Sequence, residues 1–128
     1  MGQQQLLLIV LGVIVVGIAV VVGINLFNAN AVSSNRDGVV SDLNNLGAMA
    51  QQYYKKPASM GGGGNKFTGF ALPTQLDTTA NGSYTAGFVV AAQTVTIVGQ
   101  GTEKNDAGLP IKHTATVTPT TITVLQTQ

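Results

Sequence analysis

A nearly continuous aliphatic run at positions 6–26, LLLIVLGVIVVGIAVVVGINL, constrains this chain more than any other feature. No charged side chain precedes Arg36. As a helix rising about 1.5 Å per residue, the run spans roughly 30 Å, which is the thickness of the hydrocarbon core of a bilayer. The sequence therefore predicts a hydrophobic N-terminal helix, with residues 1–31 as an anchor or polymerisation segment.

The remainder of the chain has the size and charge of one small domain. The full sequence has 128 residues, and 6 Lys and Arg against 5 Asp and Glu give a formal net charge of +1. Such a balance argues against nucleic acid as a partner. Because the chain contains no cysteine, disulfides and thiolate metal sites are excluded.

The N-terminus can also be compared with a cleaved secretory signal. The head MGQQQ lacks Lys and Arg, and the apolar run is longer than the 7–15 residues that are usual for a signal peptide. Ala29-Asn30-Ala31 nevertheless matches a small-x-small cleavage pattern, so a secreted domain beginning at Val32 is an alternative. We expect the helix to remain attached.

Small residues interrupt the apolar run. Ala19 and Gly23 form one small-xxx-small pair, a spacing that allows two helices to approach closely. Glycine is also common in membrane helices for other reasons, and this interpretation stays open. The residues that we predict for helix–helix assembly are Gly12, Gly17, Ala19 and Gly23.

From Val32 the pattern becomes amphipathic. Apolar residues recur at helical spacing and predict that residues 32–56 form the second half of the helix, with one face against a sheet. Ser34 and Asp37 have the spacing of a helix N-terminus, so a bend or break near residues 33–35 is expected. The predicted helix–sheet core residues are Val39, Leu43, Leu46, Ala50 and Tyr53.

The helix is expected to end at Lys55-Lys56-Pro57, where cations meet the negative end of the helix dipole and proline prevents continuation. Gly61 to Gly64 follow, without the Lys-Ser or Lys-Thr of a phosphate-binding loop. Residues 57–82 are therefore predicted to be a flexible, glycine-rich connector, in which Phe67, Phe70 and Leu72 seal an edge of the core.

Residues 83–128 alternate apolar and polar side chains and are rich in Thr and Val, which predicts an antiparallel sheet. The fold class is α+β: a long helix, apolar and then amphipathic, packed on a small four-stranded antiparallel sheet. The four predicted strands cover residues 83–91, 93–102, 111–118 and 121–127.

No pattern of catalytic residues is recognisable. Asp77, Glu103 and Asp106 do not match a known cation-binding loop, and His113 is the only histidine. Asn81-Gly82-Ser83 is a glycosylation sequon in a predicted surface turn, and an exposed Asn-Gly turn explains it equally well. We predict no enzyme activity, no cofactor, no metal site and no small-molecule substrate.

Taken together, the short head ending in Gly2, the apolar run at 6–26 and its continuation VSSNRDGVVSDLNNLGAMAQQYY at 32–54 resemble type IV pilins and pseudopilins. The likeness covers the layout of the whole chain. It implies a structural subunit that is held in the inner membrane, processed by a prepilin peptidase and built into an extracellular filament by a pilus assembly machinery. Adhesion, motility and secretion are all roles of that family.

The resemblance also implies leader cleavage after Gly2, with Gln3 as the first mature residue. Two positions differ from the family pattern: Gln3 stands where phenylalanine is usual, and Leu7 where the family usually has glutamate. A pseudopilin or accessory protein that stays in the membrane without polymerising is the alternative that the same resemblance allows.

Overall fold

The computed structural model describes residues 2–128, so Met1 of the predicted leader lies outside the described residues. Contacts divide the chain after Ala31. Residues 2–31 are entirely helical, and residues 32–128, which we call the head, contain helix and sheet. The two units are described separately below.

Helix α1 covers Gly2–Lys55. It is continuous through residues 33–35, so a break at this point is excluded. Asn35, in the same stretch, donates from Nδ2 to the carbonyl oxygen of Asn81 at 2.8 Å. This tertiary hydrogen bond joins the helix to a segment 46 residues further along the chain.

The sheet is antiparallel and has six strands, so α+β is confirmed and the predicted count of four strands is wrong. The strands are β1 (Thr78–Thr79), β2 (Gly82–Ser83), β3 (Val89–Val90), β4 (Val95–Lys104), β5 (Pro110–Val117) and β6 (Ile122–Gln126). Their order is β1-β2-β4-β5-β6, and β3 also pairs with β4. Alternation is visible in the sequence only for β4, β5 and β6, because the other strands have two residues each.

The first predicted strand, residues 83–91, is divided between β2 and β3. Tyr84 leaves the ladder with β4, and its amide donates to the carbonyl oxygen of Asp77 at 2.9 Å. Its fully buried ring enters the core. Part of the predicted connector is thus a β1–β2 hairpin that pairs with β4.

The glycine-rich segment is a hydrogen-bonded loop at the C-terminal end of α1, which differs from the flexible connector that we predicted. Gly63 and Gly64 donate to the carbonyl oxygens of Tyr53 and Lys56 at 2.8 and 3.0 Å. A Cβ on Gly63 would lie 1.7 Å from the carbonyl oxygen of Lys66. Glycine is therefore required by the close approach of two backbone segments.

The core of the head lies between α1 and the inner face of the sheet. Gly47 brings the helix close, since a Cβ there would stand 3.0 Å from Ile122 and 3.2 Å from Val117. Phe67 and Phe70 are buried and Leu72 packs against them, as predicted. The buried apolar residues of β4 and β5 are Val95, Ile97, Ile111, Ala115 and Val117, and the Tyr84 ring adds to them from outside the strands.

Candidate functional site

The most unusual surface of the described chain is the apolar part of α1. Every large hydrophobic side chain from Leu6 to Phe27 is more than half exposed, and Phe27 reaches 74%. We call this set the apolar helix surface. By length and composition the helix could cross a membrane, and its most apolar 18-residue window has a mean hydropathy of 3.3 with none of it buried. A signal sequence has the same properties.

The apolar helix surface contains no ionisable side chain. Leu7, at the position where the pilin resemblance leads one to expect glutamate, is 69% exposed. An intersubunit or lipid contact on this surface can therefore use packing and backbone approach, but no side-chain ion pair. Gly2 and Gln3, the predicted cleavage residues, lie in the first turn of α1.

The small residues of the helix do not all share one face. At about 100° per residue, the spacings of seven and four place Gly12, Ala19 and Gly23 within about 40° of each other, and Gly17 lies on a different face. A Cβ built on any of the three glycines meets no atom within 4 Å. Larger side chains at these positions would thus cost nothing through contacts within the subunit.

The predicted helix–sheet core residues lie on the face of α1 that packs against the sheet. Val39, Leu43, Leu46 and Ala50 are all at most 1% exposed. Tyr53 is half-buried, with its ring 5.5 Å from that of Phe70 and its hydroxyl donating to the carbonyl oxygen of Thr68 at 2.8 Å. This face of α1 is therefore covered within the chain, in contrast to the apolar helix surface.

Sequence reasoning missed the carboxylate of Asp42, at which α1 meets the β1–β2 hairpin. Asp42 Oδ2 accepts hydrogen bonds from Thr79 Oγ1 at 2.7 Å, from Asn81 Nδ2 at 3.1 Å and from the Tyr84 hydroxyl. We call these four residues the Asp42 cluster. It ties α1 to the β1–β2 hairpin and to the residue that follows it. No short motif marks it, because Asp42 is about 40 residues away in sequence from each of its three partners.

The hydrogen bonds of the Asp42 cluster stabilise the charged carboxylate. Burial acts to raise the pKa of Asp42, but the bonds from Tyr84, Thr79 and Asn81 outweigh it and hold the pKa below the ordinary 3.8. Burial and the bond to Asp42 both raise the pKa of the Tyr84 hydroxyl. The cluster therefore consists of an ionised acceptor and three neutral donors.

Further polar bonds join α1 to the C-terminal residue, to the end of β4 and to the segment after β5. Arg36 donates from its guanidinium to the carbonyl oxygen of Gln128 at 2.9 Å. Asn35 Oδ1 accepts from the amide of Glu103 at 3.1 Å, and Gln51 Nε2 donates to the carbonyl oxygen of Thr118 at 3.1 Å. These bonds fix the position of the helix along the strands of the sheet.

His113 is buried on the inner face of β5, and its Nδ1 has no hydrogen-bond partner among the described residues. Burial lowers the pKa of His113, and the nearby Arg36 charge lowers it further. The neutral imidazole is thus the form that the folded head favours.

The remaining polar candidates do not come together. Within residues 2–128, no group of three or more His, Cys, Asp or Glu side chains could hold a metal ion. Glu103 and Asp106 are exposed near a turn in which Asn105 Oδ1 accepts from the amides of Ala107 and Leu109. The sequon residue Asn81 is partly buried and its amide is bonded to Asp42, which disfavours glycosylation there.

Searches against protein-family models, curated proteins and solved structures found no match.

Proposed function

We propose that this chain is a structural subunit of an extracellular, type IV pilus-like filament that polymerises through its N-terminal helix. The observation that carries the proposal is the apolar helix surface, which is exposed from Leu6 to Phe27 and is joined to a head whose own core is already closed. A water-soluble monomer does not tolerate an apolar patch of this extent. Something outside the chain must therefore cover it.

Copies of the same helix can provide that cover. At roughly 25 cal/mol per Å², burial of on the order of 1,000 Å² per helix contributes about 25 kcal/mol before association costs are subtracted. Before assembly, the inner membrane would cover the same surface at no comparable cost. A prepilin peptidase cutting after Gly2 and a pilus assembly machinery would convert the membrane form into the filament form.

In such a filament, the register between helices would depend on close packing alone. Because Leu7 replaces the family's usual glutamate, no side-chain carboxylate is present in the first 36 residues to pair with a neighbour's terminal amine. Glycine positions at which added side chains meet nothing within the subunit are then the places where a neighbouring helix can approach most closely.

A second function is compatible with the same surface. A membrane-anchored pseudopilin or accessory protein of a secretion system would use the helix as a permanent span, and the hydropathy of 3.3 over an 18-residue window supports this candidate. The secreted alternative, cleavage after Ala31, would instead remove the apolar helix surface altogether.

Microscopy of sheared surface material distinguishes these functions. Cells producing the chain should release filaments that bind an antibody to the head, and mass spectrometry of the filaments should recover a mature N-terminus near Gln3. Recovery of the chain only in the membrane fraction, with no filaments, would contradict the proposal in favour of the anchored protein. A terminus at Val32 would instead support the secreted domain.

Substitution of the helix glycines tests the packing argument. Gly17→Leu and Gly23→Leu should each reduce the filament yield strongly while leaving the head folded, because their Cβ atoms contact nothing in the subunit. Val21→Leu, which enlarges a side chain that is already 59% exposed, is the matched control. Normal yields from both glycine variants would refute close packing at these sites.

A further inference from the structure

Strand β6 forms one edge of the sheet, because β5 is its only partner strand among the described residues. The amide of Thr127 donates to the carbonyl oxygen of Lys112 at 3.0 Å, which fixes the phase of the β5–β6 ladder. In an antiparallel ladder, hydrogen-bonded pairs alternate with pairs that are not hydrogen-bonded. Residues 123 and 125 therefore bond to β5, and the amides and carbonyls that point away from β5 belong to residues 122, 124 and 126.

These outward-pointing backbone groups, of Ile122, Val124 and Gln126, are what we call the β6 edge. Within residues 2–128, no hydrogen bond outside the strand ladders reaches it. The side chains of Ile122 and Val124 pack against the core, while Leu125 points to the other face and is 63% exposed. An open row of backbone donors and acceptors is a template on which a further strand can pair.

Strand β6 also lacks the features that usually prevent pairing at a sheet edge, which are charged residues, prolines and bulges. Its sequence, ITVLQ, contains no charge and no proline, and it pairs with β5 without a register shift. The last charged side chain in the sequence is that of Lys112. On the other side of the sheet, β1 and β3 have only two residues each, so they offer no template of comparable length.

We infer that β6 of one copy pairs antiparallel with β6 of a second copy, with Val124 at the centre of the contact. In this register Val124 lies opposite its own counterpart, and Ile122 lies opposite Gln126 of the second copy. All groups of the β6 edge are then satisfied, by about six backbone hydrogen bonds. Leu125 lies opposite Thr123 of the second copy, which covers part of its exposed side chain.

The second copy is favoured as the occupant because the β6 edge is complementary to itself. Its outward-pointing groups recur at every second residue on both sides of Val124, so a two-fold axis at this residue brings each donor to an acceptor. No charge on either strand opposes the contact. Pairing with β1 or β3 of another copy would satisfy only two residues and leave the rest of the β6 edge open.

The setting of this contact rests on the proposed function. The two-fold axis of an antiparallel pair is perpendicular to the sheet, so the helices of two paired heads run in opposite directions. Subunits of one filament all point the same way and meet through heterologous contacts. The β6 pairing would therefore join heads on two filaments of opposite direction, where many weak contacts act together.

Disulfide trapping in the full-length chain tests the register, because the sequence contains no cysteine. Val124→Cys would place two thiols at a hydrogen-bonded pair whose Cα atoms are about 5.5 Å apart, a separation that a disulfide can bridge. Gln126→Cys, on the same face of the same strand, is the matched control, since its two Cα atoms would be about 13 Å apart. In detergent with oxidised glutathione, Val124→Cys should give about tenfold more disulfide-linked dimer. Equal yields would overturn the inferred register.

A charge on β6 tests the contact independently. Leu125→Lys should lower the dimer yield of Val124→Cys about tenfold, because the two lysines would face each other about 7–8 Å apart. Val89→Lys, at a residue of β3 that is 60% exposed, is the control and should leave the yield unchanged. Loss of the dimer in both variants would overturn the two-fold contact in favour of pairing with the other edge of the sheet. Tyrosine fluorescence melting checks that each head is folded.

Microscopy separates this inference from the function on which its setting rests. Native filaments should associate side by side with opposite directions, and Leu125→Lys should leave them single. Filaments that are single in the native protein would overturn the proposed setting and leave the filament proposal intact. A dimer specific to Val124→Cys in a chain that forms no filaments would contradict the proposed function and leave the β6 contact intact.

Discussion

Replacement of Asp42 by alanine should lower the stability of the head markedly, although no sequence motif marks this residue. The substitution removes the single oxygen that accepts from Thr79, Asn81 and Tyr84. It leaves the buried Tyr84 hydroxyl without its acceptor, and an unsatisfied buried donor costs about 1–3 kcal/mol. The β1–β2 hairpin also loses its principal side-chain connection to α1.

The expected magnitude follows from this geometry. A hydrogen bond to a charged group contributes roughly 1.5–3 kcal/mol, but here three donors share one oxygen of a partly exposed carboxylate. Solvent screening reduces the total, and we expect a loss of about 2 kcal/mol in the free energy of unfolding. For a domain of roughly 100 residues, this loss lowers the Tm by about 10 °C.

Tyrosine fluorescence is the appropriate assay, because the chain has three tyrosines and no tryptophan, and all three tyrosines lie in the head. Asp37→Ala, which removes an exposed carboxylate from the same helix, is the matched control and should change the Tm by little. Equal Tm values for the two variants would refute the argument.

The pH dependence of stability is a second test of the Asp42 cluster. Because the pKa of Asp42 is lower in the folded state than its ordinary 3.8, its contribution is present above that value and is lost as the pH falls through the folded pKa. The native chain and the Asp42→Ala variant should therefore converge in stability at low pH. A constant difference down to about pH 2 would contradict the assignment.

Three further substitutions test the head. Leu43→Ala should cost about 2–5 kcal/mol in the free energy of unfolding because the side chain is 0% exposed, whereas Leu26→Ala, at 61% exposure, should leave head melting in detergent unchanged. Gly63→Ala should lower the Tm by several degrees, since its Cβ would overlap the carbonyl oxygen of Lys66; a normal Tm would contradict the tight loop. Burial lowers the pKa of His113 from 6.5, so its contribution is present above that value and is lost as the pH falls through the folded pKa. His113→Phe should thus lose less stability than the native chain between about pH 7 and about pH 5, and equal losses in urea melts would refute this.

Periodicity predicted the parts of the fold that depend on long, regular patterns. The apolar run and the spacing of Val39, Leu43 and Leu46 indicated the helix and its buried face, and alternation indicated β4, β5 and β6. Strands of two residues are too short to show alternation of apolar and polar side chains, so β1, β2 and β3 were not predicted as separate strands. Their positions depend on pairing with β4, which is a tertiary property.

The polar contacts of the head were less accessible to sequence reasoning. Asp42 lies in the amphipathic half of the helix, and no local pattern distinguishes it from an exposed carboxylate. Asn35 likewise has no sequence signal for its side-chain hydrogen bonds to residues 81 and 103. The glycine run looked like a linker because its partners, the carbonyl oxygens of α1, become close only when the helix ends and the loop folds back.

In the proposed function, a chain without a recognisable active site acts through its exposed helix and its closed head. Residues 32–128 enclose an apolar core of their own. The apolar helix surface is exposed, and in the proposed function lipid or other copies of the chain cover it.

Electron cryomicroscopy of filaments sheared from producing cells tests the central claim most directly. We predict a map in which helices from many copies form the filament interior, with residues 6–27 dry and buried against one another and the six-stranded heads outside. A chain found only as single copies in the membrane, or a filament whose interior lacks these helices, would contradict the account.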